Sequence, residues 1–190
     1  MTESSGWLRG VEGVLSGPDL TLTVERLAEW QLSDGMMPWY PGGHADPWNH
    51  VEALMALMLD GREAEAEAGF AWLERLQHAD GSWHQYYLAG GEVEEAKFDA
   101  NCIAYVAAGL YHHWLLFEDR SFLDANWGML SGAVDFVRGL QTDRGEVFWA
   151  RKPDGTPFEF ALLTGSSSIT HSLRCAVAVA EVLGKERPEW

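Results

Sequence analysis

The chain has 190 residues, 47% of them hydrophobic, and a formal net charge of −16. This describes one domain, or a compact part of one, with a sizeable core, and excludes a disordered chain. The acidity argues against nucleic acid as a partner, since a phosphate backbone needs a basic surface, and otherwise reads as a solvated exterior.

In chain order the hydrophobic spacing predicts six helices. The first runs from Pro18 or Asp19 to about Leu32 and stops at the Asp34-Gly35 turn signal. The second follows Asp46, with Asp46 as N-cap and Pro47 as first helical residue, and ends before Gly61. The third covers about 62–77, with Phe70, Leu73 and Leu76 at helical spacing. The fourth covers about 96–117. Its middle, 102–110, carries no charge, so it should be covered on most sides. The fifth starts at Ser121, with Asp124 completing a capping box, and shows Phe122, Trp127, Leu130, Val134, Val137 and Leu140 on one face. The sixth begins within 166–168 and runs to Leu183, with Gly184 as its stop. Residues 1–17 read as an irregular lead-in. No strand-rich region is seen, apart from a short extended piece at 146–150 and a turn at 152–157. Cys102 and Cys175 lie in apolar helical stretches and read as small buried residues rather than a disulfide pair.

Helices one, three and five are amphipathic, whereas two, four and six are richer in Ala, Leu and Val. This is the pattern of an inner ring wrapped by an outer one. A repeat reinforces it: Gln31…Asp34-Gly35…Trp39, Gln77…Asp80-Gly81-Ser82-Trp83 and Gln141…Gly145…Trp149 each end an outer helix and open a loop. The expected fold is all-α, an α/α toroid of three helical hairpins, about half of a six-hairpin barrel, as a single domain over 1–190.

Gln77…Gly81-Ser82-Trp83 resembles the glutamine–tryptophan motif of squalene and oxidosqualene cyclases. The hairpin repeat is similar to the prenyltransferase and squalene-oxidase repeat superfamily. Trp39-Tyr40-Pro41-Gly42-Gly43-His44 with Asp46-Pro47-Trp48, and the stretch 162–168 with His171 to Cys175, resemble an actinobacterial prenyltransferase-like family. The resemblance covers essentially the whole chain and implies a toroid that handles isoprenoids. Two features depart from it. Three hairpins stand where six are expected, and neither the Asp-rich acid motif of cyclases nor the zinc ligand set of protein prenyltransferases is present.

In such a toroid the loops leading into the inner helices meet at one mouth, where helix N-termini favour anions. Asp46, Asp99 and His171 are the candidate catalytic residues, because carboxylates across a cavity can have their proton affinities driven apart. The plain alternative for Asp46 and Asp99 is helix capping. Trp39, Tyr40, His44, Asn49, Trp83, Tyr86, Asn101, Trp149, Arg151 and Arg174 are the candidate ligand contacts. His44 and His50 are not at a standard metal-ligand spacing, His112-His113 reads as structural, and no nucleophilic serine is read in 164–168. No metal and no cofactor is expected.

Three functions fit: a prenyltransferase- or cyclase-like protein for an isoprenoid ligand, a carbohydrate-active (α/α) barrel stacking sugars on Trp and Tyr with a carboxylate pair, or a non-catalytic helical module. The expectation favours the first class, with a small-molecule ligand, isoprenoid or sugar-like. With no secretory signal and no apolar run long enough for a bilayer, a cytoplasmic protein is expected. Three hairpins do not close, so a homo-oligomer or a second half is expected, through apolar flanks at Leu54, Met55 and Met58 and at Leu173, Val177 and Val179.

Overall fold

The computed structural model describes residues 10–190 and contains eight α-helical segments: α1 (Gly17–Trp30), α2 (Pro47–Leu59), α3 (Glu63–Leu76), α4 (Ala100–Ala104), α5 (Val106–Phe117), α6 (Arg120–Ala125), α7 (Trp127–Arg138) and α8 (Leu163–Leu183). Tyr105 keeps right-handed helical dihedrals between α4 and α5, so the two form one rod. α6 and α7 meet at Asn126, whose side-chain amide donates to the Phe122 carbonyl. Three hairpins result: α1–α2, α3 with α4–α5, and α6–α7 with α8. The inner helices α2, α4–α5 and α8 pack side by side, α3 nests against α2, and α7 packs on α4. This is the half-toroid that the alternating composition predicts. Of the irregular lead-in expected over 1–17, residues 1–9 lie outside the described residues, while Val11 and Leu15 pair in a turn before the Ser16 capping box of α1.

The repeated glutamine closes each turn in the same way. The Gln31 amide donates to the Gly35 carbonyl at 3.1 Å and to Glu65 of α3 at 2.8 Å. The Gln77 amide donates to Gly81 at 3.0 Å and to Met129 of α7 at 2.9 Å. The Gln141 amide donates to Gly145 at 3.0 Å. The three glycines have φ of +95°, +86° and +99°, which side chains rarely tolerate. A Cβ on Gly35 would run into the Ala68 carbonyl and one on Gly81 into Gly132, whereas Gly145 faces open space. The motif therefore fastens one outer helix to the next.

Several boundaries differ from expectation. Asp119, not Ser121, caps α6, accepting from the Ser121 and Phe122 amides at 2.8 and 3.2 Å; a carboxylate one position before the helix outcompetes the hydroxyl inside it. α8 starts three residues earlier than its serines suggest, with no side-chain cap. The loop before α4 holds short strands, β1 (Tyr86–Tyr87), β2 (Val93–Glu95) and β3 (Phe98–Asp99), and β4 (Ala150–Arg151) pairs with β3. Two- and three-residue strands leave too little alternation to read. Of the expected apolar flanks, Leu54, Met58 and Val179 are fully buried, Leu54 packing on Gly69 of α3, whereas Met55, Leu173 and Val177 stay partly exposed.

Candidate functional site

The loops that feed the inner helices are stitched into one rim. Ala45 and Tyr87 exchange backbone hydrogen bonds, both 2.9 Å, joining the first loop to the second. Asp99 pairs with Ala150, and the Ala100 amide donates to Trp149 O at 2.9 Å, joining the second to the third. Gly165 in the first turn of α8 sits beside Asn101. The three segments expected at one mouth do meet there.

Two buried carboxylates hold the starts of two inner helices. Asp46, 1% exposed, accepts from the Trp48 and Asn49 amides at 2.8 and 3.0 Å through Oδ1. Its Oδ2 accepts from the Trp39 indole at 2.6 Å and the Asn49 side chain at 2.8 Å. Asp99 caps α4 through the Asn101 and Cys102 amides at 3.0 and 3.3 Å. Burial pushes the Asp99 carboxyl above its usual range, while the Cys102 amide, the Lys97 charge, the Asn101 amide and the Trp149 side chain act the other way. The Cys102 thiol is raised chiefly by burial and further by the Asp99 and Asp46 charges.

Aromatic and polar groups surround the pair. Trp39 meets His44 and Tyr86 edge-on, with centroids 4.8 and 5.9 Å apart, and His44 stacks on Tyr86 at 4.2 Å. His44 Nδ1 lies 2.6 Å from Glu94 Oε2. Trp39 and Tyr40 remain 46% and 57% exposed, the Tyr40 ring resting with one side on Gly43. Trp149 is covered by Lys97 at 4.3 Å and by Phe158 and Phe160. Three buried polar atoms in this cluster have no hydrogen-bond partner: His44 Nε2, Gln85 Oε1 and Asn101 Oδ1. A separate open groove of about 570 Å³ lies between the turn carrying Arg144, Glu146 and Phe148 and the segment from Glu159 to Ser166 that leads into α8.

Not every candidate joins the cluster. Trp83 is wholly buried in the core, its indole donating to Leu73 O at 2.7 Å. Arg151 turns onto α7, bonds Asp80 at 2.6 Å and lies over Phe98 and Phe136. His171 and Arg174 are exposed on α8, His171 lying 3.6 Å from Cys175 Sγ; among the described residues no acidic side chain pairs with Arg174. His50 spends both nitrogens inside the fold, accepting from Met37 N–H at 3.1 Å and donating to Gly69 O at 3.0 Å.

Sequence reasoning missed Gln85, Glu52 and Tyr105. Counting from the repeat glycine finds the first: the second residue after it is core in every copy (Met37, Trp83, Val147), and the fourth reaches the rim (Trp39, Gln85, Trp149). Helical spacing from Trp48 finds the others. Trp48 and Glu52 share a face of α2, Trp48 stacks on Tyr105 at 4.9 Å, and Glu52 accepts from the Tyr105 hydroxyl at 2.5 Å.

No family model matches the chain. Over 181 residues, 95% of its length, it is 45% identical to the MMP endo-(1,4)-3-O-methyl-alpha-D-mannosidase of Mycolicibacterium hassiacum, of which it covers 50%. Among solved structures, the cellobiose 2-epimerases of Spirochaeta thermophila DSM 6192 and Bacillus thermoamylovorans B4167 match with TM-scores of 0.61 and 0.56, at 17% and 15% identity; the match covers 85% and 87% of this chain and 47% of each of theirs. The chain thus spans about half the length of these proteins. The findings overturn the expected kinship with prenyltransferases and terpenoid cyclases. The glutamine–tryptophan turn that suggested it fastens outer helices in this chain, so it reports the fold and not the chemistry. The fold is that of one half of an α/α barrel.

Proposed function

We propose that the rim is the sugar-binding half of an α/α-barrel glycosidase. The supporting observation is the group of orphaned polar atoms on His44, Gln85 and Asn101, in the loop segments that carry or adjoin the two indole-bonded carboxylates. Buried polar atoms without partners are costly, and hydroxyl groups of a sugar satisfy them. The exposed rings of Trp39 and Tyr40 suit the apolar faces of pyranose rings. The substrate class follows the named relative: an α-(1→4)-linked chain of 3-O-methylmannose. Methyl ethers replace hydroxyl donors with apolar surface, and Phe160, Leu162 and Leu163, all exposed at the start of α8, supply matching contacts.

The reaction is hydrolysis of the glycosidic bond. Burial raises the proton affinity of Asp99, which suits it to give a proton to the leaving glycosidic oxygen, while the water that attacks the anomeric carbon gives up a proton to a second carboxylate, Asp46. Asn49 and Trp39 fix the Asp46 carboxylate, and Asn101 and Gln85 orient sugar hydroxyls. His171 and Arg174, exposed on the adjoining helix, extend the site along the chain.

The test is calorimetric binding of 3-O-methylmannose oligosaccharides to the chain, with reducing-end release read in parallel. Asp99→Asn should abolish release while circular dichroism stays unchanged, and Trp39→Ala should weaken binding at least about tenfold, given that one aromatic contact is worth about 0.5–1.5 kcal/mol beyond the area it covers. Sugar binding that is untouched by both substitutions overturns the assignment.

A further inference from the structure

At the other end of the hairpins lies a cluster that the proposed reaction does not use. Glu63 and Glu67 stand one turn apart on α3 and face His113 of α5. The nearest ligand atoms of the three side chains all lie within 4.8 Å of one another. His113 has no exposed side-chain surface. Its ring is fixed by Phe122, stacked at 3.9 Å, and by Phe117 at 4.8 Å. Neither ring nitrogen makes a hydrogen bond, and Nε2 points at Glu67 Oε1 from 3.5 Å, beyond ordinary hydrogen-bond reach.

The surroundings are short of positive charge. Among the described residues no Lys or Arg pairs with Glu63 or Glu67. Two carboxylates beside a buried imidazole that has no hydrogen-bond partner are an arrangement that a cation relieves.

We propose that Glu63, Glu67 and His113 form a binding site for a divalent transition-metal ion of the zinc type. One imidazole nitrogen and two carboxylate oxygens are a ligand set of that class. Metal–ligand bonds of about 2.1 Å require ligand atoms about 3.4 Å apart in a tetrahedron. Reaching that spacing from 4.8 Å needs rotamer shifts of the two glutamates alone, both of which are only partly buried, while His113 stays in place. Water completes the shell. His113 lies eight residues beyond Tyr105, roughly 12 Å along the helix, so the ion would clamp α3 to α5 away from the rim.

The probe is Co²⁺, then Zn²⁺, added to the metal-stripped chain. One equivalent of Co²⁺ should bring the visible bands of a tetrahedral ion, Zn²⁺ should bleach them, and either metal should raise the Tm. Glu67→Gln and Glu63→Gln, at surface positions that leave the apo fold intact, should each weaken binding about tenfold or more. His113→Gln should abolish it, and circular dichroism of the apo variant shows whether that chain still folds. Absence of tetrahedral bands at millimolar Co²⁺, or binding to E67Q and E63Q equal to the parent chain, overturns the proposal.

Discussion

His50 is held with one nitrogen accepting and the other donating, fully buried between α2 and α3. Burial lowers its pKa to about 4 against an ordinary 6.5, despite the Gly69 hydrogen bond and the nearby Asp46 and Asp34 charges. Between those two values the unfolded chain binds a proton that the folded chain refuses, so stability rises with pH there. It is fully present above about 6.5 and lost as pH falls towards 4. Unfolding free energies from urea titrations at pH 7 and pH 5 should differ by about 2 kcal/mol from this residue alone. His50→Asn, which has nothing to protonate, should flatten that part of the slope. An equal slope in both chains would place the acid sensitivity elsewhere. At this scale the sequence was readable where chemistry and position coincide: Asp before Pro announced the Asp46 cap, whereas Asp99, expected inside the first turns of a helix from about 96, caps one that starts at Ala100. Trp83 was not readable as core, because two residues of register after the glycine separate it from Trp39, and residue type alone hides that step.

The element scale is governed by the glutamine turns. Gln77 bridges its own turn and α7 through two hydrogen bonds, whereas Gln141 is exposed and closes only its own turn. With each such bond worth about 0.5–1.5 kcal/mol net, Gln77→Ala should cost about 1–3 kcal/mol in thermal or urea unfolding and Gln141→Ala about half as much. Equal costs would mean that the bridge to α7 contributes nothing. The repeat made the three hairpins legible in sequence, along with the inner and outer roles of their helices. The short strands were not legible. β3 and β4 are two residues each, and their pairing is dictated by the meeting of distant loops and not by local propensity.

At the scale of the whole molecule, the inner helices of the three hairpins leave Trp48, Glu52, Asn101, Tyr105 and His171 in contact with solvent. The barrels that this fold matches are about twice as long, so a closed ring needs three more hairpins. We expect two copies to supply them to each other: light scattering at micromolar concentration should give about twice 21.2 kDa, and a stable monomer would refute the self-pairing. The chain's alternating composition disclosed the half-ring. The surfaces that would close it were not disclosed, because Leu54, Met58 and Val179, apolar and at helix faces, are already used within the hairpins.

The open surroundings of Gly145 give the ring a built-in gauge. Alanine at Gly81 meets both a left-handed backbone and the body of α7, while alanine at Gly145 meets the backbone strain alone, about 1–2 kcal/mol. In a half-ring, G81A should therefore destabilise far more than G145A. Were a further outer helix seated on the third turn as α3 and α7 are on the first two, the two substitutions would become equally damaging. The ratio of the two losses, taken from unfolding midpoints in any assembly of this chain, counts docked hairpins without an image of them.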